Sequence, residues 1–267
     1  LFTLLNVAQP DTLEAAYNIL KEKRSNAVLG GCAYLRMGSQ TIHTGVDLSK
    51  LGLKYSKDYG SYIEIGAMTS LRDVETNAAV NNYADGLLPK AVANIIGVQF
   101  RNVVTVGASV FMRYGFSDFL TALLALDTEV ELVKGGRMTL AAFLDTPRSK
   151  DILTKIIIHK TKGHAAYQAL RNSASDYPLL TVAVSQLDGE WKIAVGARPT
   201  RARLAVQAAA LLRDGDNDMT AEVMEQAAQT AVGELSFGDN SRASAVYRQA
   251  VAKTLIKRAI AEVVACK

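Results

Sequence analysis

Two glycine turns are where the backbone of this chain could hold an anion. Ala27-Val28-Leu29 reads as a short buried strand running straight into Gly30-Gly31, and Val103-Val104-Thr105-Val106 reads as a second strand closing on Gly107. A strand that delivers glycine into the first turn of a helix leaves N–H groups open to a pyrophosphate, with no side chain between them. Neither turn is the dinucleotide-binding fingerprint, because no Gly-x-Gly-x-x-Gly occurs in the chain. A lone strand-ending glycine is more often an ordinary tight turn, so neither one identifies a ligand by itself.

The other reactive residue types narrow the chemistry by their scarcity. Cys32 and Cys266 are the only two cysteines and lie far apart, so free thiols are expected. An iron–sulfur cluster takes about four cysteinates, more than this chain has. Of the three histidines, His43, His159 and His164, no two stand at a recognised metal spacing, and Lys160 and Lys162 flank the last two, so no metal site is expected. No residue is assigned as a catalytic acid, base or nucleophile. A net charge of +4 suits an anionic nucleotide or an acidic partner face but falls short of what nucleic-acid binding needs. Arg242, Arg248, Lys253, Lys257 and Arg258 do cluster near the end, yet Ala252, Leu255, Ile256, Ala259, Ile260 and Val263 recur among them at helical spacing. That pattern is a docked amphipathic helix with a solvated basic face. Apolar stretches stay well under the roughly 18 residues of a membrane span. The opening Leu1-Phe2-Thr3-Leu4-Leu5 is too short for an export signal, and a cytoplasmic location is expected.

Periodicity supplies the elements that must position the two turns. Asp11 as cap and Glu14 reaching back predict a helix entry, with Leu13, Ala16, Tyr17 and Leu20 on one face. A helical turn is expected through Tyr34, Leu35 and Met37. Strands are expected over residues 41–48, 62–67, 129–133, 152–159, 179–187 and 191–195, the last two joined at Asp188-Gly189. Helices are expected from Leu71, over 87–96, over 120–126, and from about 201 onward with breaks at Asp214-Gly215-Asp216 and Phe237-Gly238-Asp239. A polar stretch near Thr146-Pro147 places a boundary at about residue 150.

Ordered segments of the sequence resemble the flavin subunits of molybdenum hydroxylases, the group that includes xanthine and carbon monoxide dehydrogenases. Val28-Leu29-Gly30-Gly31-Cys32-Ala33-Tyr34-Leu35 is similar to the first FAD loop of that family, and Gln99-Phe100-Arg101-Asn102-Val103-Val104-Thr105-Val106-Gly107 to the second. Val46-Asp47-Leu48-Ser49, Ile65-Gly66-Ala67-Met68-Thr69, Ser117-Asp118-Phe119-Leu120 and Ser241-Arg242-Ala243-Ser244-Ala245-Val246-Tyr247-Arg248 continue the match along nearly the whole chain. Each motif is loose; their order and spacing carry the resemblance.

The resemblance implies an α+β, vanillyl-alcohol-oxidase-type fold: two α/β lobes followed by a C-terminal lobe of a short antiparallel sheet plus helices. Residues 1–150 would form the FAD-binding domain, in lobes of about 1–55 and 56–150, and 151–267 the C-terminal domain. It implies non-covalent FAD held by Leu29, Gly30, Gly31, Cys32, Ala33 and Tyr34 and by Thr105, Gly107, Ala108 and Ser109, with Asp118 and Asp176 on the cofactor side. Without it, Asp118 reads as a helix cap before Leu120 and Asp176 as a turn residue beside Tyr177-Pro178. Implied partners are a subunit with 2Fe-2S clusters and a large molybdopterin-binding subunit, with NAD or another molecule as electron acceptor. The chain departs from the family where Gly107-Ala108-Ser109 replaces Gly-Gly-Asn, where Gln168 replaces a lysine of some relatives, and where Cys32 replaces a hydroxyl residue. Two other readings follow from those departures and from the flavin chemistry: a flavin-free assembly subunit and a self-contained flavin oxidase. The chain after residue 150 is short for the substrate domain an oxidase needs.

Overall fold

The computed structural model describes residues 1–214 and 219–266. It opens with β1 (Thr3–Ala8), α1 (Leu13–Glu22), β2 (Ala27–Leu29), β3 (Thr41–Asp47), β4 (Ser56–Asp58) and β5 (Tyr62–Gly66). Helices α2 (Leu71–Thr76), α3 (Ala78–Asn81), α4 (Leu87–Ala93), α5 (Val98–Val103), α6 (Val106–Phe111) and α7 (Asp118–Ala125) follow. Next come β6 (Asp127–Leu132), β7 (Gly136–Thr139), α8 (Leu140–Asp145), β8 (Leu153–His159), β9 (Gly163–Arg171), β10 (Pro178–Leu187) and β11 (Glu190–Gly196). Last are β12 (Arg203–Leu204), α9 (Val206–Asp214), α10 (Ala221–Glu234) and α11 (Ala245–Ala265). No helix among the described residues is long and apolar enough to cross a membrane.

The chain forms two compact units. The first takes residues 1–74, 98–112 and 128–158. Within it β1 and β2 both pair in parallel with the central β3. A parallel pair needs a crossover, and α1 supplies it. The cap of α1 is Thr12, whose hydroxyl accepts from Ala15 N–H at 3.1 Å, not Asp11 as the sequence suggested. Its Ala16 and Leu20 pack with Val46, Leu48, Leu53 and Ile152, each fully buried aliphatic side chain contributing about 1.5–3 kcal/mol. The second sheet of this unit has the order β4-β5-β8-β6-β7. In β6 the buried residues Thr128, Val130 and Leu132 alternate with more exposed ones, the period of a strand with one covered face.

The second unit takes residues 75–97, 113–127 and the chain from 159 onward. Its antiparallel sheet has the order β12-β11-β10-β9. Leu180, Val182 and Val184 of β10 and Trp191, Ile193 and Val195 of β11 point to one face, where they share a core with Ala208, Leu212, Ala228, Ala231, Ile256 and Ile260 of α9, α10 and α11. The alternate residues meet α7, all of whose residues are buried. Thr181 exchanges a 2.9 Å hydrogen bond with Thr121, and Ser185 donates to the Ala125 carbonyl at 2.5 Å. Covered on both faces, β10 is buried along its whole length. The Asp188-Gly189 turn has both residues left-handed, φ 51° and 78°, as a tight hairpin requires.

Two arginines lie inside this unit, each 1% exposed. Arg198 donates to the carbonyls of Val195, Ser236 and Arg201, and burial with Arg203 nearby pushes its guanidinium down to about 10. Arg248 donates to the carbonyls of Leu179, Gly238 and Ala243 and to Asn240 Oδ1. Arg248 is therefore no part of the solvated basic face expected for α11, although Leu255, Ile256, Ala259, Ile260 and Val263 are buried as that pattern requires.

Other expectations shift locally. Residues 103–106 are the end of α5, a turn and the start of α6 rather than a strand; only an isolated bridge pairs Thr105 with Ser70. Gly215 and Asp216 of the expected break lie outside the described residues, and the Phe237-Gly238-Asp239 break separates α10 from α11. The segment forming β9 carried no strand signal.

Candidate functional site

In the first unit the two glycine turns meet. Leaving β2, Gly31 is left-handed at φ 72° and Cys32, unusually for a residue with a side chain, at φ 60°. A Cβ on Gly31 would sit 1.7 Å from the Val103 carbonyl oxygen, so only glycine fits there. A Cβ on Gly30 would lie 3.1 Å from both Ala108 Cβ and Thr105 Oγ1, and Thr105 Oγ1 donates to the Gly30 carbonyl at 3.4 Å. Tyr34 sets its ring edge-on to Phe100 at 5.9 Å. The loop is half-buried, and among the described residues no protein acceptor takes the N–H groups of Gly30, Gly31, Cys32 or Ala33. Open backbone donors at the end of a parallel strand suit an anion. Burial, aided by Asp47, pushes the Cys32 thiol up against the opposing pull of Arg36, so it remains a neutral group.

The second turn does something else. Val106 N–H donates to Thr69 O at 2.8 Å, Gly107 N–H to Ala67 O at 2.8 Å, Ala108 N–H to Thr105 Oγ1 at 3.3 Å and Ser109 N–H to Thr105 O at 3.0 Å. Its amides are thus satisfied by the protein. Gly107 is needed because a Cβ would lie 2.9 Å from the Ala67 carbonyl oxygen. Ala108 sits in the helix α6, where its side chain costs nothing, and Ser109 is buried with its hydroxyl on the Thr105 carbonyl at 2.9 Å. Thr105, as cap of α6 and link to Gly30, is the joint between the turns. Thr105→Val is expected to lower stability by about 1–2 kcal/mol, read as a shift of the urea midpoint.

In the second unit Asp118 and Asp176 belong to one network. Asp118 opens α7, but the cap is Ser117, whose hydroxyl accepts from Leu120 N–H at 3.1 Å. The Asp118 carboxylate is buried and accepts from Tyr167 Oη at 2.5 Å and from the Arg171 guanidinium. Burial raises its affinity for a proton, and Arg171 and Tyr167 oppose that. Burial and the adjacent carboxylate hold the Tyr167 phenol well above its ordinary range, so it stays a donor. Arg171 also donates to the Asp176 carbonyl at 3.0 Å. The Asp176 carboxylate takes Arg242, chiefly responsible for its lowered proton affinity, and Tyr177 N–H at 2.8 Å. Arg242 lies 5.1 Å over the Tyr177 ring, which contacts Phe116 at 4.6 Å. Tyr167 and Arg171 carry no site signal in the sequence; four residues apart on β9, they lie on one face of the strand, which its pairing with β10 places beside α7. Gln168, on the opposite face, donates to Glu262 at 2.8 Å.

Residues 3–161, more than half of the chain, match the family described as FAD binding domain in molybdopterin dehydrogenase. The chain belongs to that family. Residues 165–263 of this molybdopterin dehydrogenase flavin chain match the CO dehydrogenase flavoprotein C-terminal domain. The nicotine 6-hydroxylase medium subunit of Paenarthrobacter nicotinovorans is 25% identical over 276 residues, 97% of this chain and 96% of that one. A chain of the carbon monoxide dehydrogenase from Hydrogenophaga pseudoflava that lacks the Mo-pyranopterin moiety superposes with a TM-score of 0.87 at 22% identity, covering 98% of this chain and 97% of that one. A chain of quinoline 2-oxidoreductase from Pseudomonas putida 86 gives 0.84 at 19% identity, covering 98% and 96%. The α+β fold expected from the sequence is therefore the fold of this family's flavin subunits, and the chain is an FAD-binding oxidoreductase subunit of molybdenum hydroxylase type.

Proposed function

We propose that this subunit relays electrons from the iron–sulfur clusters of one partner to NAD or another external acceptor, the substrate being oxidised on a second partner that carries molybdopterin. Bound FAD supplies the redox couple. The observation that carries the reading is the set of four open N–H groups from Gly30 to Ala33, at the end of β2, which the diphosphate of the cofactor would occupy. Leu29 and Tyr34 bound that loop. Thr105, Gly107, Ala108 and Ser109 brace it from behind, so that a short rigid turn presents its donors without reorganising. Asp118 and Asp176 act through Arg171 and Arg242, which they hold in place. In this reading residues 1–150 do the cofactor binding and 151–267 complete the subunit.

The relay is supported by the medium-subunit relative and by the cysteine count, since two distant thiols leave the clusters to a partner. Stopped-flow bleaching of the flavin band tests it. The lone chain is expected to carry one FAD and to show little reduction by purines, pyridines or aldehydes, while the co-expressed complex bleaches anaerobically on adding substrate. Rapid reduction of the lone chain would favour a self-contained oxidase. Colourless chain that cannot be reconstituted would favour an assembly subunit.

A further inference from the structure

Apart from the flavin loop, the second unit brings together one of the two cysteines, one of the three histidines and a carboxylate. Asp85, His164 and Cys266 each offer a ligand atom, and these atoms all lie within 4.8 Å of one another. They come from three elements: the turn before α4, strand β9 and the end of α11. Linear spacing could not reveal the group, because Asp85 and His164 are 79 residues apart. We propose that Asp85, His164 and Cys266 form a binding site for one divalent cation of the zinc class.

The chemistry of the set supports this choice. A thiolate, an imidazole and a carboxylate are the three ligand types zinc accepts in tetrahedral sites, whereas magnesium and calcium avoid sulfur. Two anionic ligands neutralise the ion, and three protein ligands leave a fourth position for water. Bonds of about 2.0–2.3 Å place ligand atoms of a tetrahedral site about 3.3–3.8 Å apart, so closure needs a movement on the order of 1 Å. The exposed Cys266, at the helix end, has that freedom.

The other two ligands are already fixed. His164 Nδ1 stands 3.0 Å from Asp85 Oδ2, and the same oxygen accepts from Ala165 N–H at 3.0 Å. Asp85 is aimed by a left-handed run, φ 48°, 52° and 69° at Ala84, Asp85 and Gly86. Two of these have side chains, a conformation that costs free energy and persists only where the surroundings impose it. Of the neighbouring charges, Glu262, one turn before Cys266, pairs with Lys90 at 3.4 Å; Lys160 and Lys162 precede the strand. Binding must displace the thiol proton, so affinity weakens as pH falls.

Cobalt(II) titration of the full chain tests the site, read as a difference spectrum against metal-free protein. The expected result is the intense visible absorption of tetrahedral cobalt with a thiolate charge-transfer band, saturating at one equivalent and abolished by zinc. Cys266→Ser, at an exposed position that leaves the fold measurable by circular dichroism, is expected to remove the thiolate band. His164→Gln and Asp85→Asn should each weaken binding by about 10- to 100-fold. Absence of the tetrahedral spectrum, a thiolate band that survives Cys266→Ser and so belongs to Cys32, or affinity unchanged in both other variants would overturn the proposal.

Discussion

Gly31→Ala is expected to leave the protein without its flavin. The backbone there is left-handed, and an alanine Cβ would fall 1.7 Å from the Val103 carbonyl oxygen, a collision no rotamer relieves. The left-handed conformation costs a side chain about 1–2 kcal/mol and overpacking about 1–3 kcal/mol more. The loop escapes by lifting off Val103, which separates the open N–H groups of Gly30 to Ala33 from one another. Restoring the binding conformation against about 3 kcal/mol lowers affinity about 100-fold. A bulkier or charged substituent at this position adds repulsion to a loop that alanine already displaces. Gly60→Ala is the control: it is also left-handed, φ 83°, but meets nothing within 4 Å, and should keep its flavin. Flavin absorbance per chain decides, and full retention in Gly31→Ala would move the diphosphate elsewhere.

Asp118→Ala should have the largest effect on stability, about 3–5 kcal/mol. Arg171 and Asp118 have side chains only 9% and 5% exposed, so the variant leaves a guanidinium and the Tyr167 hydroxyl in the interior without their acceptor. Replacing both ends by apolar groups, Asp118→Leu with Arg171→Met, should recover much of the loss, because a well-packed pair avoids dehydrating two charges. Urea unfolding followed by circular dichroism measures both. An unchanged midpoint in the single variant would show that the pair contributes nothing.

What could be read in the sequence and what could not divides along physical lines. The β10–β11 hairpin was legible because its turn residues and two apolar runs agree with each other, and α7 because Ser117-Asp118 supplies a helix start ahead of a mostly apolar run of Leu and Ala, both good helix formers. Strand β9 was not. Its sequence, Gly-His-Ala-Ala-Tyr-Gln-Ala-Leu-Arg, is rich in helix formers, and it is extended because it pairs with β10 from Gly163 to Arg171. With β9 unseen, Tyr167 and Arg171 could not be placed beside Asp118, nor His164 beside Asp85. The apolar run at 103–106 misled for the opposite reason: β-branched residues suggested a strand where Thr105 caps a helix. In the flavin loop the glycines were visible, but a sequence cannot show which amides the protein leaves without an acceptor.

Arg198 and Arg248 have a thermal consequence. Every hydrogen bond they make among the described residues runs to a carbonyl or amide oxygen, and together they clasp the segment from Ser236 to Ala243. The penalty for keeping a cation out of water falls on heating, because its hydration is entropically unfavourable. Added salt reaches exposed pairs such as Arg213 with Glu190 but scarcely screens an interior charge. The clasp should therefore tighten, relative to the surface ion pairs, as temperature and ionic strength rise, making the turn into α11 one of the last parts of this unit to open.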